Sequence, residues 1–365
     1  MTSPAIGCSV DQLDTPALLV DLDVLDANIR RMANACQSNG VDWRPHMKSV
    51  CVPAIAHRMI QAGAVGVTCA KLGEAEALVD AGLDDILIAN QIVGVQKVAR
   101  LVNLAARAAL TVAVDDRVHA VELGAAALQA GLRLRVVIEV DIGLHRAGVS
   151  PGAPVVELAR FISTQPGLEL IGVIGWEGHA TRIADPRAKG LAVADAIGLL
   201  TGSAAACRTA GLTIAVVSCG GTGTYPTAVV QAGVTEIQAG GGVFSDVRYR
   251  THLGVDHPYA LTVLATVTSR PSPERIVCDA GKKTMSSDGA VPVPIGIGAA
   301  RSVVLSAEHA TIELGAPSLH PRVGSQLEFA IGQADTSVHL NNEVFGVRDR
   351  RVEVVWPVLD RARTR

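Results

Sequence analysis

The sequence predicts a closed parallel barrel of alternating strands and helices, followed by a separate all-β domain. Three observations carry this. Short valine-rich runs alternate with helix-length amphipathic segments from residue 17 to about 240, the rhythm of βα units on a parallel sheet. After about residue 255 the rhythm stops, and short β-rich segments separated by turn residues take over. Composition agrees: of 365 residues, 49% are hydrophobic and only 3% aromatic, with 36 glycines. That suits strands covered on both faces by Ala-rich helices.

Taken in order, the strand candidates are 17–22, 42–48, 66–70, 85–90, 110–115, 133–141, 168–176, 214–219 and 234–239. Helical patterns fill the gaps at 24–38, 52–62, 72–81, 94–108, 117–130, 154–164 and 187–210. That is one strand more than the eight a closed (β/α)8 TIM barrel needs. Setting 17–22 aside puts Lys48 at the C-terminal end of the first barrel strand, the end where such barrels do their chemistry. The later segments 260–268, 275–280, 301–306, 310–314, 326–331 and 343–355 are short and β-like, with no helix pattern of length. The expected domains are therefore a barrel over 24–248 and a β-domain over 255–365, the latter joined by the N-terminal strand within 1–23. The expected hinge is 248–258.

Charge and cysteine usage exclude several classes. The formal net charge is -3 and no sustained basic run precedes the tail, which argues against nucleic acid and anionic membrane surfaces as partners. The tail from Arg361 to Arg365 reads as a frayed, solvated end. No uninterrupted apolar stretch reaches spanning length, and the first residues lack the n- and h-regions of a secretory signal. Seven cysteines stand at scattered positions, an odd count without CxxC spacing. They read as reduced, mostly buried thiols of a cytoplasmic protein.

The candidate site lies at the barrel's C-terminal strand ends. Lys48, in Arg44-Pro45-His46-Met47-Lys48, can form a Schiff base with pyridoxal phosphate if its surroundings favour the neutral amine. A solvated lysine at a strand end is the plainer reading of that position alone. Two Gly-rich turns, Ser218-Cys219-Gly220-Gly221-Thr222 and Gly240-Gly241-Gly242, follow the seventh and eighth barrel strands. Glycines there let backbone amides approach an anion, and those loops commonly hold phosphate. Tight turns alone would give the same pattern. Arg146 can donate to an oxyanion or make a surface ion pair. Trp176 can pack against a flat ring or be plain core. His179 can carry a proton or stand idle in its loop. In the β-domain, Gln333 and Asp335 stand two apart, with His309 and His339 nearby in sequence. A neutral glutamine is a weak ligand for transition metals.

Together these residues resemble the D-threonine aldolase / D-serine dehydratase family of alanine-racemase-like enzymes. The resemblance spans nearly the whole chain. It is carried by Thr15-Pro16-Ala17-Leu18-Leu19-Val20-Asp21-Leu22-Asp23, Arg44-Pro45-His46-Met47-Lys48, Ile138-Glu139-Val140-Asp141, His145-Arg146-Ala147-Gly148-Val149, Ser218-Cys219-Gly220-Gly221-Thr222, Asp279-Ala280-Gly281, Glu308-His309 and Val355-Trp356-Pro357-Val358. The ending and the Gly240–Asp246 region are most similar to the D-3-hydroxyaspartate aldolase branch. The resemblance implies that Lys48 is the Schiff-base lysine and that Arg146 contacts the cofactor's phenol oxygen. It implies that Ser218, Gly220, Gly221 and Thr222 hold the phosphate, with Gly240 and Gly241. Trp176 takes a position where relatives carry Tyr or His beside the ring. It further implies a homodimer, with the β-domain closing over the barrel mouth. Relatives carry a His-x-Cys or His-x-Asp metal pair where this chain has Gln333 and Asp335, so a divalent metal such as Mg²⁺ or Mn²⁺ is expected to be held weakly or not at all.

The expected activity is that of a pyridoxal-phosphate-dependent lyase. It would cleave a D-β-hydroxy-amino acid, such as D-threonine or D-3-hydroxyaspartate, to an aldehyde and a small amino acid. The alternatives are a metal-independent racemase or transaldolase, a D-serine-type dehydratase, and a non-enzymatic cofactor carrier. The β-domain argues against the carrier.

Overall fold

The computed structural model describes residues 3–358. The basic tail expected to fray, 361–365, and the first two residues lie outside them. The chain forms two units. One, over 31–48 and 55–240, is the barrel; among the described residues the other gathers 3–30, 49–54 and 241–358.

In chain order the elements begin with β1 (Ala17–Asp21), α1 (Leu22–Gln37), β2 (Asp42–Trp43), α2 (Pro53–Gln61), β3 (Val67–Cys69) and α3 (Leu72–Asp80). They continue with β4 (Asp85–Gln91), α4 (Val95–Ala105), β5 (Ala109–Val114), α5 (Arg117–Gln129), β6 (Leu134–Glu139) and α6 (Ala153–Ser163). Then come β7 (Leu168–Ile174), α7 (Pro186–Thr209), β8 (Val216–Cys219), α8 (Tyr225–Ala228), β9 (Glu236–Ile237) and α9 (Val247–Thr251). The remainder is β10 (Leu261–Ser272), β11 (Arg275–Cys278), β12 (Val293–Ile295), β13 (Ala300–Leu305), β14 (Ala310–Leu314), β15 (Gln326–Ala330), α10 (Ala334–Ser337), β16 (Glu343–Arg348) and β17 (Arg351–Pro357).

The barrel sheet has eight parallel strands in the order β2-β9-β8-β7-β6-β5-β4-β3. A bridge from His46 to Thr68 joins its two ends. Its strands are apolar along their length because both faces are covered; Leu87, Ala113, Val137 and Ile174 form one buried cluster across β4 to β7. The helices turn one stripe inward, as α4 does with Val98, Leu101, Val102 and Leu104. Sequence chemistry starts them: Asp116 caps α5 by accepting from Val118 N, and Asp185 caps α7 ahead of Pro186.

The closure of the sheet depends on Arg44. Its Nε donates to Glu236 Oε2 at 2.7 Å and its Nη1 to Asp85 Oδ1 at 2.8 Å. Ser218 Oγ donates to the other Glu236 oxygen at 2.7 Å. Arg44 and Glu236 keep only 14% and 5% of their side-chain surface, so this pair is sealed from water. Gly66 makes the space: a Cβ there would stand 2.2 Å from Arg44 Nη1.

In the second unit, β1 pairs antiparallel with β10 (Ala17 opposite Leu264) and parallel with β16 (Leu19 opposite Phe345). The sheet runs β13-β14-β11-β10-β1-β16-β17, with β15 joined to β10 and β12. Its core includes Val10, Leu13, Ala17, Leu19, Leu264 and Val352. So 17–22 belongs with the β-strands, as its exclusion from the barrel requires.

The structure divides the chain differently from the expected 24–248 and 255–365. Most of the first turns of α1, the segment 49–54, and residues 241–254 all go with the β unit. Hydrogen bonds account for this: Asn28 Nδ2 donates to the carbonyls of Val243 and Pro258, and Val247 N donates to Ile331 O. The single run 343–355 is in fact the hairpin β16–β17, turned at Asp349 and Arg350, both at positive φ. No Asn-Gly or Asp-Gly pair marks that turn. Strand β12 was not foreseen. Helix α7 is long and apolar enough to span a bilayer by length and composition, but Asp195 interrupts its apolar run. It is instead a barrel helix that buries Val193, Ile197, Leu200 and Cys207.

Arg44→Leu would leave Glu236 buried without its cation. A loss of about 3–5 kcal/mol in unfolding free energy is expected, read as a lower urea midpoint with unchanged secondary structure at zero denaturant. A shift below about 1 kcal/mol would show that the pair behaves as an exposed one.

Candidate active site

Strand β2 pairs only over Asp42–Trp43, and Lys48 sits in a short turn, Met47–Ser49, beyond it. The expected strand to residue 48 is therefore too long. The segment is still pinned, because Arg44 N donates to Ile237 O and His46 N to Gln238 O, each at 2.9 Å. Trp43 is buried and donates its Nε1 to Ala239 O at 2.8 Å.

Three predicted residues come together here. Lys48 Nζ and Arg146 Cζ each lie 5.4 Å from the centroid of the Trp176 ring. The indole presents its electron-rich face to cations, which favours both contacts. His46 completes the set. Burial first, then the charges of Lys48 and Arg146, holds its pKa well below the ordinary histidine range. It is therefore neutral, and its Nδ1 accepts from Lys48 N at 3.3 Å, which places the ring proton on Nε2.

Arg146 rests on a buried acid: its Nη2 lies 3.5 Å from Glu139 Oε1. Glu139 also accepts from Gln91 Nε2 at 2.5 Å. Gln91 and the Gly148 amide both reach Asp115 Oδ2, at 3.2 and 3.0 Å. This network sets the loop after β6. The His179 ring packs over Gly143 of that loop, and its buried Nδ1 has no partner among the described residues.

The Gly-rich turn after β8 is occupied differently from expectation. Ser218 is fully buried, donates to Glu236 and accepts from Gln238 Nε2 at 2.9 Å. Its hydroxyl is thus committed inside the barrel. The amides of Gly220 and Gly221 each point at Glu177 at 3.4 Å, and Thr224 Oγ1 donates to the same carboxylate. Glu177 is fully buried and was missed by the sequence reading, although it lies between Trp176 and His179. Thr222 is buried in the same turn. The buried amides of Gly223 and Gly240 donate to no acceptor among the described residues. Gly223 follows Gly221, which abuts Trp176, and Gly240 abuts the His46 backbone. A side chain at Gly221 would meet Trp176 Nε1 at 2.8 Å, so turn and indole are fitted to each other.

Gly241, Gln333 and Asp335 belong to the β unit. There Ser49 Oγ donates to Asp335 Oδ1. Asp246 accepts from Tyr249 N and Ala334 N, and its pKa rises to about 7, chiefly through burial. His339 Nε2 lies 3.4 Å from Cys51 Sγ, and His309 sits in a turn with Ser306. Among the described residues, no group of three His, Cys, Asp or Glu side chains is placed to hold a metal ion.

Residues 20–247 match the model of the alanine racemase N-terminal domain, and 260–347 that of a putative serine dehydratase domain. The chain is 32% identical over 363 residues to a D-threonine aldolase of an Arthrobacter species, covering 98% of this chain and 96% of that one. It is 33% identical over 376 residues to a 3-hydroxy-D-aspartate aldolase of Paracoccus denitrificans, covering 99% and 95%. Among solved structures, the D-threonine aldolase from Filomicrobium marinum superposes with a TM-score of 0.95 at 34% identity, covering 99% of each chain.

Glu177→Gln keeps the shape of the buried acceptor but turns an NH2 group toward donors. Its expected effect is a loss of about 1–3 kcal/mol in unfolding free energy, measured by urea titration. An unchanged midpoint would mean that the three donors are satisfied elsewhere.

Proposed function

This chain belongs to the D-threonine aldolase / D-serine dehydratase-like family of alanine-racemase-like enzymes, and from that membership we propose how its residues carry out the family's lyase chemistry. It is a pyridoxal-phosphate-dependent D-amino-acid lyase that cleaves D-β-hydroxy-amino acids. The observation that carries the residue assignment is the placement of Lys48 and Arg146 on one indole, beside a neutral imidazole.

The residues present fit the cofactor. Lys48 supplies the amine, and Trp176 a flat apolar face. The unspent amides of Gly223 and Gly240 suit a phosphate, and Arg146 is a donor for an oxyanion. The Gly221 and Thr222 backbone lies in the same turn. Bound there, pyridoxal phosphate supplies the electron sink for the pair released at Cα.

The chain's own groups do the rest. Lys48 binds and releases the carbonyl partner, and the neutral His46 next to it adds no positive charge beyond those already present. Glu139, itself held by Gln91, sits beside Arg146. His179, with an unpartnered ring nitrogen, is our candidate for moving the β-hydroxyl proton. Loss of that proton breaks the Cα–Cβ bond and releases an aldehyde and a small amino acid. The substrates we propose are D-threonine and D-3-hydroxyaspartate.

Two measurements test this. Borohydride reduction of the cofactor-loaded protein should fix the label on the peptide containing Lys48, and Lys48→Ala should lose turnover about a thousandfold or more. Label on another lysine would refute the assignment. Incubation with D-threonine or D-3-hydroxyaspartate should release a trappable aldehyde; exchange of the Cα hydrogen without aldehyde would instead mark a racemase.

A further inference from the structure

We infer that the cation at the Gln333–Asp335 corner of the β unit is the Arg248 guanidinium, in place of a divalent metal. The inference rests on the lyase reading only in that the family leads one to look for a metal there.

Gln333 stands at the first position of the expected metal pair, and each end of its amide has a partner. With the amide oriented so that both ends find partners, its nitrogen donates to Asp288 O at 3.0 Å. Its oxygen accepts from Arg248 Nη1 at 3.2 Å. The oxygen that would have to coordinate a metal is thus turned to a guanidinium. Arg248 is fixed in this position by its backbone, since its amide donates to Gly332 O at 3.1 Å, next to Gln333. Space has been left for the pair as well. Gly289 sits at φ +77, and a Cβ there would lie 2.7 Å from the end of the Gln333 amide that faces Asp288 O and 2.8 Å from Arg248 Cδ. Any side chain at 289 would displace one of them.

Asp335 is the one strong ligand left, and its Oδ1 is occupied by the Ser49 hydroxyl. One carboxylate and one neutral amide are a poor donor set for Mn²⁺ or Zn²⁺. A permanent positive charge bonded to that amide repels a divalent ion further. Guanidinium also has what a metal lacks: five fixed N–H donors that suit an oxyanion and need no deprotonated ligands.

The test measures metal rather than turnover, so its result stands whether or not the lyase reading holds. The cofactor-loaded protein, purified without chelator, is analysed for bound metal and then titrated calorimetrically with MnCl₂. The wild type should carry far less than one metal per chain and show no saturable heat at micromolar protein. Gln333→His should gain weak Mn²⁺ binding. Gln333→His with Arg248→Met should bind roughly tenfold tighter still or more, since a unit charge a few ångströms from the ion is removed. Circular dichroism and cofactor absorbance establish that each variant is folded. Stoichiometric Mn²⁺ or Zn²⁺ in the wild type would overturn the inference. So would a double variant that binds no tighter than Gln333→His, because Arg248 would then not be what excludes the metal.

Discussion

Everything at the barrel's working end hangs on one buried ion cluster. Arg44 ties the strand that leads to Lys48 to Glu236 on β9 and to Asp85 on β4. A buried pair of this kind contributes little net stability compared with an apolar substitute, but losing one partner is costly. Its value here is registry. Strand β2 itself pairs with β9 over only two residues, and a single bridge, His46 to Thr68, joins the segment after it to β3. The guanidinium reaches across that weak closure in both directions. Two residues further on, His46 already forms the closing bridge, and two beyond that stands the lysine.

The electrostatics of the lysine's surroundings are consistent with this economy. Two cations lie against one indole ring, and the nearest imidazole is held neutral by burial and by those same cations. The acids lie one layer back: Glu139 under Arg146, Glu177 under the glycine turn. Positive charge therefore gathers at the Trp176 ring, with the acids set behind it. In the other unit an arginine again stands beside a polar side chain, with Arg248 Nη1 donating to the Gln333 oxygen at 3.2 Å.

Much of this was legible in the sequence. The alternation of valine-rich runs with amphipathic helices located all eight barrel strands, because strands buried on both faces leave a strong signal. Lys48, Arg146 and Trp176 stood at strand ends and are found together. What escaped notice was whatever depends on side-chain partners distant in sequence. Ser218 looked like a phosphate donor, yet its hydroxyl turns inward to Glu236. Glu177 looked like a connecting residue and proved to be the acceptor for three donors. The hairpin at Asp349–Arg350 lacks the usual turn residues, so β16 and β17 read as one run. The unit boundaries were obscured because hydrogen bonds from Asn28 and Ser49, not a linker, assign those segments.

Strand β1 is made first and finds its partners last. Its neighbours β10 and β16 lie at the far end of the chain, whereas every barrel strand pairs with elements synthesised before residue 240. During translation the barrel can assemble while its own N-terminal segment, with Ala17, Leu18, Leu19 and Val20 all destined for burial, has nothing to add to. That apolar strand is an unpaired edge on the nascent chain. Early arrest of synthesis would leave it exposed to solvent.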